Sequence, residues 1–236
     1  MPFGLTNAPA SFQSLLNDVL CPFLDRFAVV YLDDILIYSN TLDEHIQLVR
    51  QVLERLANAK LFVKLEKCRF HTSRVEFLGY IISSKGISMD QAKIDSVLSW
   101  PVPTSIKDAM FFLSFTNFYR RFISEYSSIT APLTLLLKKQ NTTLPIFAWT
   151  PASQKAFETL QSKFQETSLL WYFDPAEAAI IEVDASDFAL QGCLSQKDNE
   201  GLLCPVAFYS RKFSPPELNY EIYDKEMLAI VACLRE

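Results

Sequence analysis

Two adjacent carboxylates, Asp33 and Asp34, interrupt an apolar, β-branched and aromatic stretch that runs from Phe27 to Tyr38. Val, Ile and Tyr favour extended chain, so the stretch predicts a β-hairpin whose tight turn carries the aspartates. No Gly or Asn marks that turn. Carboxylates set beside buried strands are costly unless something positive neutralises them, and a divalent cation is the usual answer. Mg²⁺ held by carboxylates together with substrate phosphates is the arrangement that phosphoryl and nucleotidyl transfer use. The plainer reading of the same residues is a polar turn closing an ordinary hairpin.

The elements around this turn follow from periodicity. Pro9 to Leu20 reads as a helix with proline near its first turn and Phe12, Leu15, Leu16, Val19 and Leu20 on one face. Asp43 to Ala59 is a second amphipathic helix through Ile46, Val49, Val52, Leu53 and Leu56. Glu76 to Ser83 predicts a strand, and Ser84-Lys85-Gly86 a turn. Helices are then predicted over Asp90 to Ser99, Ser105 to Tyr119 and Ile129 to Lys138, with Trp100-Pro101-Val102-Pro103 breaking the first from the second. Lys139 to Pro145 is polar and weakly patterned, the best candidate linker, and Pro151 to Gln165 is another amphipathic helix. Strands are expected at Ala179 to Val183, Gly192 to Ser195 and Leu203 to Tyr209, and a final helix at Tyr223 to Arg235.

Half of the 236 residues are hydrophobic and 21% are charged, which excludes a disordered chain. A net charge of −5 does not advertise nucleic-acid binding, but its distribution is uneven. Residues 60–76 hold five basic against two acidic side chains, and residues 107–139 do the same, whereas residues 153–200 hold three lysines against nine carboxylates. The basic middle could follow a phosphate backbone and the acidic part could bind metal, or the charges are simply solvated. Five cysteines without paired spacing read as free thiols in a reducing compartment. Cys68 and His71 form half of a zinc-like pair with no second half nearby. Neither a signal peptide nor a membrane-spanning run is expected.

Met1-Pro2-Phe3-Gly4-Leu5-Thr6-Asn7-Ala8-Pro9-Ala10-Ser11-Phe12-Gln13 lies upstream of Tyr31-Leu32-Asp33-Asp34, and Val75-Glu76-Phe77-Leu78-Gly79-Tyr80-Ile81-Ile82 downstream. Trp100-Pro101-Val102-Pro103, Phe118-Tyr119-Arg120-Arg121-Phe122-Ile123, Phe147-Ala148-Trp149 and Val183-Asp184-Ala185-Ser186-Asp187 follow in order. This order resembles the reverse transcriptase and ribonuclease H region of gypsy-like (Metaviridae) long-terminal-repeat retrotransposon polyproteins, over essentially the whole chain. The resemblance implies an α/β fold with a partial polymerase palm at 1–84, a helical thumb at 85–145 and the N-terminal part of a ribonuclease H-like domain at 146–236.

It also implies roles. Asp33 and Asp34 would be two of three palm carboxylates that hold Mg²⁺ or Mn²⁺. Asp184 and Glu226 would be two of the ribonuclease H metal ligands. Phe3, Gly4, Asn7 and Pro9 match the nucleotide and template pocket, and Tyr31 would pack near the primer end; a turn glycine explains Gly4 as well. Phe77, Leu78, Gly79 and Tyr80 match the primer grip, a role compatible with Phe77 and Leu78 being strand core. Phe118, Tyr119 and Phe122 read as thumb core before base-stacking platforms, and Arg120 and Arg121 as phosphate contacts or a solvated face. Partners would be an RNA template, a DNA primer, an RNA–DNA hybrid, deoxynucleoside triphosphates and the remaining Pol segments, with no membrane, in the cytoplasm or a virus-like particle with a nuclear stage.

Asp90-Gln91, Ser114-Phe115 and Gln191-Gly192 depart from the family pattern. One palm carboxylate and two ribonuclease H carboxylates would fall outside this chain, which is expected to be truncated at both ends and inactive alone. The competing expectation is a remnant that acts at most as a nucleic-acid-binding or interaction protein.

Overall fold

A computed structural model describes residues 6–137, 147–167 and 169–236. Phe3, Gly4, the end of the helix expected to reach Lys138, and the candidate linker at 139–145 lie outside the described residues. The architecture is mixed α/β, and the chain divides into two compact units, Met1–Leu78 and Gly79–Glu236.

In the first unit, helix α1 (Ala8–Leu20) precedes a two-stranded hairpin of β1 (Ala28–Tyr31) and β2 (Asp34–Ile37). Helix α2 (Leu42–Asn58) and strand β3 (Arg74–Phe77) follow. Thr41 starts α2 by accepting the Glu44 amide on Oγ1 at 3.3 Å, while the Glu44 carboxylate accepts the Asn40 amide, a reciprocal N-terminal cap. Leu16 and Leu20 of α1 pack against Val52 and Leu56 of α2, with Val30 and Ile35 of the hairpin covering the same core. The apolar faces are narrower than periodicity suggests: Leu15, Ile46 and Leu53 remain substantially exposed.

The second unit opens with the hairpin β4 (Tyr80–Ser83) and β5 (Gly86–Met89), followed by α3 (Gln91–Leu98) and α4 (Ile106–Phe118). Short helices α5 (Tyr126–Ile129) and α6 (Ala131–Leu135) come next, where one helix was expected from Ile129; Pro132, which cannot continue a hydrogen-bonded turn, stands in the first turn of α6. Helix α7 (Pro151–Gln165) leads to an antiparallel sheet of β6 (Ala179–Ala185), β7 (Ala189–Lys197) and β8 (Leu203–Lys212), and α8 (Ile222–Arg235) closes the unit. Strand β5 was not foreseen, and the strand expected at 76–83 is broken, because Leu78 and Gly79 both take positive φ (52° and 79°). An extended ladder cannot pass through such residues.

Helices α3 to α7 and the C-terminal sheet share one core in this unit. Phe112, Leu133, Phe157, Leu160 and Phe164 are buried together, and Phe208 of β8 packs against them. Polar pins join the same elements. The Arg120 guanidinium donates to the Ser210 carbonyl and lies 5.8 Å from the Tyr126 ring centroid. The Ser127 amide donates to Ser210 Oγ at 3.0 Å, and Lys212 Nζ to Thr134 Oγ1 at 2.6 Å. Leu170 exchanges backbone hydrogen bonds with Ile87 at 2.8 and 2.9 Å, which brings its carbonyl onto Gly86, where a Cβ has no room.

Helix α8 lies so close to β7 that a Cβ at position 192 would overlap Cys233 Sγ. Gly192→Ala should therefore cost about 1–3 kcal/mol of stability, and Cys233→Ala in the same chain should recover most of it; an additive double variant in chemical denaturation would contradict this packing.

The loop between β8 and α8 is held by an ion pair. Arg211 donates to both oxygens of Glu217 at 2.9 and 3.0 Å, and the Ser214 amide adds a third bond at 2.7 Å. The Arg211 guanidinium, with that amide, holds the Glu217 carboxyl at about 2 against an ordinary 4.5. A carboxyl depressed on folding stabilises above its unfolded value and stops doing so as pH falls through its folded value. Glu217→Gln should thus melt earlier than the unsubstituted chain at neutral pH, and the gap should close between pH 4.5 and 2. A gap that persists to the acid end would show that the pair does not carry the effect.

Candidate metal and nucleic-acid site

Tyr31 and Asp34 are the last paired residues of the β1–β2 hairpin, so Leu32 and Asp33 alone form the turn. Alternation along β1 explains the display of the acids. Ala28 is buried and Val30 packs on the core, so Val29 and Tyr31 face outward, and Asp34, paired with Tyr31, shares that outer face. Tyr31 is 53% exposed, and Asp33 and Asp34 are both exposed.

A two-residue hairpin turn needs positive φ at its first position, usually supplied by glycine. Leu32 takes φ 50° instead, at a cost of about 1–2 kcal/mol for an L residue. The compensation comes from helix α1. Gln13 Oε1 accepts the Leu32 amide at 2.5 Å, and its Nε2 donates to the Val30 carbonyl at 3.3 Å and to Asn17 Oδ1 at 2.8 Å. One side-chain amide thus bridges the backbone on both sides of Tyr31. Sequence reasoning gave Gln13 no role beyond closing the upstream motif; the available signal for one was the Gln13–Asn17 pair at helical i, i+4 spacing.

Neither Asp33 nor Asp34 forms an ion pair among the described residues. Two unneutralised carboxylates on one tight turn are hard oxygen donors, which fit a divalent cation such as Mg²⁺ or Mn²⁺ as part of its ligand set. Among the described residues no group of three or more His, Cys, Asp or Glu side chains is placed to hold a metal by itself. The Cys68–His71 half-pair is likewise dispersed: Cys68 Sγ donates to the Lys64 carbonyl, and the His71 ring sits edge-on to His45 at 5.5 Å.

Asn7 and Pro9 are exposed at the start of α1, with Asn7 at the cap position but making no side-chain cap bond. Phe77 ends β3 and Leu78 follows at positive φ. In the second unit, Tyr119 donates from its hydroxyl to the Gly79 carbonyl at 3.2 Å, and Tyr80 stacks on Phe118 at 5.2 Å and Phe122 at 5.7 Å. Tyr119 and Phe122 are buried core, whereas Phe118 is 51% exposed. Arg120 is spent on Ser210 and Tyr126, so of the two arginines only Arg121 is on the exposed surface.

The second pair of acids belongs to β6 and α8. Val183 and Ala185 join the core that α8 packs against, so Asp184 and Glu182 project from the other face of the sheet. There Asp184 accepts from Gln191 Nε2 at 3.0 Å and lines a cleft of about 200 Å³ with Glu182, Glu125, Ser124 and Cys193. Glu226 is exposed on α8, next to Lys225, which is buried with its ammonium 5.7 Å from the centroid of the Phe213 ring.

Leu32→Val should destabilise the first unit by about 1 kcal/mol or more, because a β-branched residue resists the left-handed region. Leu32→Gly should stay within about 1 kcal/mol of the unsubstituted chain. Equal losses in urea denaturation would mean that burial of Leu32, not its φ, matters.

Two family models match the chain: "Reverse transcriptase (RNA-dependent DNA polymerase)" over residues 1–82, and "RNase H-like domain found in reverse transcriptase" over residues 149–236. The Transposon Tf2-3 and Tf2-4 polyproteins of Schizosaccharomyces pombe (strain 972 / ATCC 24843) are each 41% identical to it over 235 residues. The whole chain is matched, but it spans only 17% of the length of those relatives. Among solved structures, a foamy viral protease-reverse transcriptase in complex with RNA/DNA hybrid superimposes with a TM-score of 0.81 at 25% identity, over 99% of this chain and 31% of that one. The same protease-reverse transcriptase in complex with dsDNA gives a TM-score of 0.83 at 25% identity, over 99% of this chain and 48% of that one.

Proposed function

Since the chain belongs to the reverse transcriptase and ribonuclease H region of retrotransposon polyproteins, we propose that in the intact polyprotein it contributes to RNA-directed DNA synthesis and to cleavage of the RNA strand of a hybrid. The observation that carries this reading is the Asp33–Asp34 turn: two outward carboxylates with no ion-pair partner among the described residues, on a hairpin braced from α1, inside the reverse transcriptase match. A gypsy-like assignment is consistent with the Tf2 relatives.

Asp33 and Asp34 are the residues that would hold Mg²⁺ or Mn²⁺. When bound, such ions lower the charge on the attacking oxygen and stabilise the leaving pyrophosphate. Tyr31, on the same outer face as Asp34, packs near the primer end; Phe77, Leu78, Gly79 and Tyr80 grip the primer; Phe3, Gly4, Asn7 and Pro9 meet nucleotide and template. Asp184 and Glu226 serve the second reaction at a separate place. Their support is the ribonuclease H-like match alone, since Asp184 projects from the sheet face opposite α8 and the two carboxylates are not brought together here. The partners are RNA template, DNA primer, hybrid, deoxynucleoside triphosphates and the other Pol segments, in keeping with the hybrid and dsDNA held by the structural neighbours. No helix among the described residues is long and apolar enough to cross a membrane, and we place the activity in the cytoplasm or a virus-like particle with a nuclear stage.

The test is made in the intact polyprotein. Asp33→Asn or Asp34→Asn should lower primer extension by at least about 1,000-fold and leave RNA cleavage largely intact, with Asp184→Asn doing the reverse. Equal loss of both activities in either variant would overturn the assignment of two separate sites.

A further inference from the structure

We infer that Gln13 and Asn17 are positioning residues for the metal-binding turn: Asn17 fixes the orientation of the Gln13 side-chain amide, and Gln13 fixes the turn that presents Asp33 and Asp34. The inference rests on the polymerase reading of that turn and adds to it two residues without acidic or nucleophilic chemistry.

Gln has one carbonyl acceptor and one amino donor group, and the two ends are not interchangeable. Leu32 needs an acceptor for its backbone amide, while Val30 offers a carbonyl that needs a donor. Only one of the two flipped orientations of Gln13 serves both. Asn17 Oδ1, one helical turn along α1, accepts from Gln13 Nε2 at 2.8 Å and favours that same orientation. With Asn17 removed, the flipped orientation would set an amino group against the Leu32 amide and break the bridge. Leu32 would then lose the bond that supports its left-handed backbone, and Asp33, the next residue, would change direction. Carboxylates already aimed at one point bind a cation more tightly than carboxylates that must first be ordered.

The test uses the whole chain, with Mn²⁺ as the probe and two readouts. Backbone hydrogen exchange at Leu32 reports the bridge without any metal. Paramagnetic broadening of amides at 32–35 during Mn²⁺ titration reports the carboxylates. In Gln13→Ala, Leu32 exchange should quicken and Mn²⁺ affinity fall by about fivefold to tenfold, the worth of a net hydrogen bond. In Asn17→Ala both should change by about twofold, as for an i, i+4 side-chain pair. Asn17→Asp keeps the acceptor and should retain the slow Leu32 exchange of the unsubstituted chain. Ala is the better helix former, so Asn17→Ala should not lower the melting temperature, which separates positioning from a merely structural role. Unchanged Leu32 exchange in both alanine variants overturns the relay. Changed exchange with unchanged Mn²⁺ affinity overturns its link to the site. If Mn²⁺ broadening at 32–35 persists in the Asp33→Asn and Asp34→Asn variants, the polymerase reading of the turn fails, and the relay's role as a metal-site support fails with it.

Discussion

The conformation of one residue, Leu32, governs what the rest of the first unit can present. A hairpin that closes in two residues leaves no slack, so Asp33 and Asp34 point where the turn sends them. That turn requires a left-handed backbone at a position occupied by leucine, a residue with no intrinsic liking for it. Gln13 resolves the conflict from outside the hairpin, by bonding to the amide after Tyr31 and the carbonyl before it. Helix α1 must therefore sit against β1, and the packing of Leu16 and Leu20 on Val52 and Leu56 keeps it there. Core, helix, side-chain amide, turn and carboxylates form one dependent series. Strain held by its surroundings is a frequent accompaniment of functional sites, and here the residue under strain directly precedes the acids.

The second unit follows a different logic. Its sheet is joined to the helices before it by many moderate contacts instead of one clamp. Strand β8 supplies Ser210 to Arg120 and Ser127, Lys212 to Thr134, and Phe208 to the buried aromatic core. Arg120 illustrates how a charge resembling a phosphate contact becomes a structural fastening when a backbone carbonyl and an aromatic ring lie within reach. On the other side of the sheet, α8 packs Ala229 against Leu190 and Phe213 but leaves Tyr223, Met227, Val231 and Leu234 exposed along one helical face.

Much of this was legible in the residues. The aspartate hairpin, α1, α2, α3, α4, α7 and the three C-terminal strands follow from periodicity and turn chemistry, because each has a clear apolar repeat or a marked end. What escaped notice depends on partners distant in sequence. The break at Leu78 and Gly79 splits a run of strand-forming residues that local preference would extend, and β5 is too short to give its own signal. Gln13 closes the upstream motif, but its role could not be read there, since it depends on a backbone amide nineteen positions later. Arg120 was ambiguous for the same reason: Ser210 lies ninety positions away. The acids of the second site were nameable from motif order, but which sheet face Asp184 takes could be settled only by the register Asp184–Gln191.

The account stands or falls on whether the turn at Asp33 and Asp34 is where divalent cations sit during nucleotide addition. The direct measurement is anomalous scattering from Mn²⁺ in crystals of the intact polyprotein's polymerase region with a primer–template duplex and a non-reactive deoxynucleoside triphosphate analogue. The account predicts a peak within about 2.0–2.6 Å of carboxylate oxygens of Asp33 and Asp34, with Gln13 bonded to the Leu32 amide in the same crystal. Bound nucleotide and Mn²⁺ with both carboxylates turned to solvent and no peak beside them would contradict it.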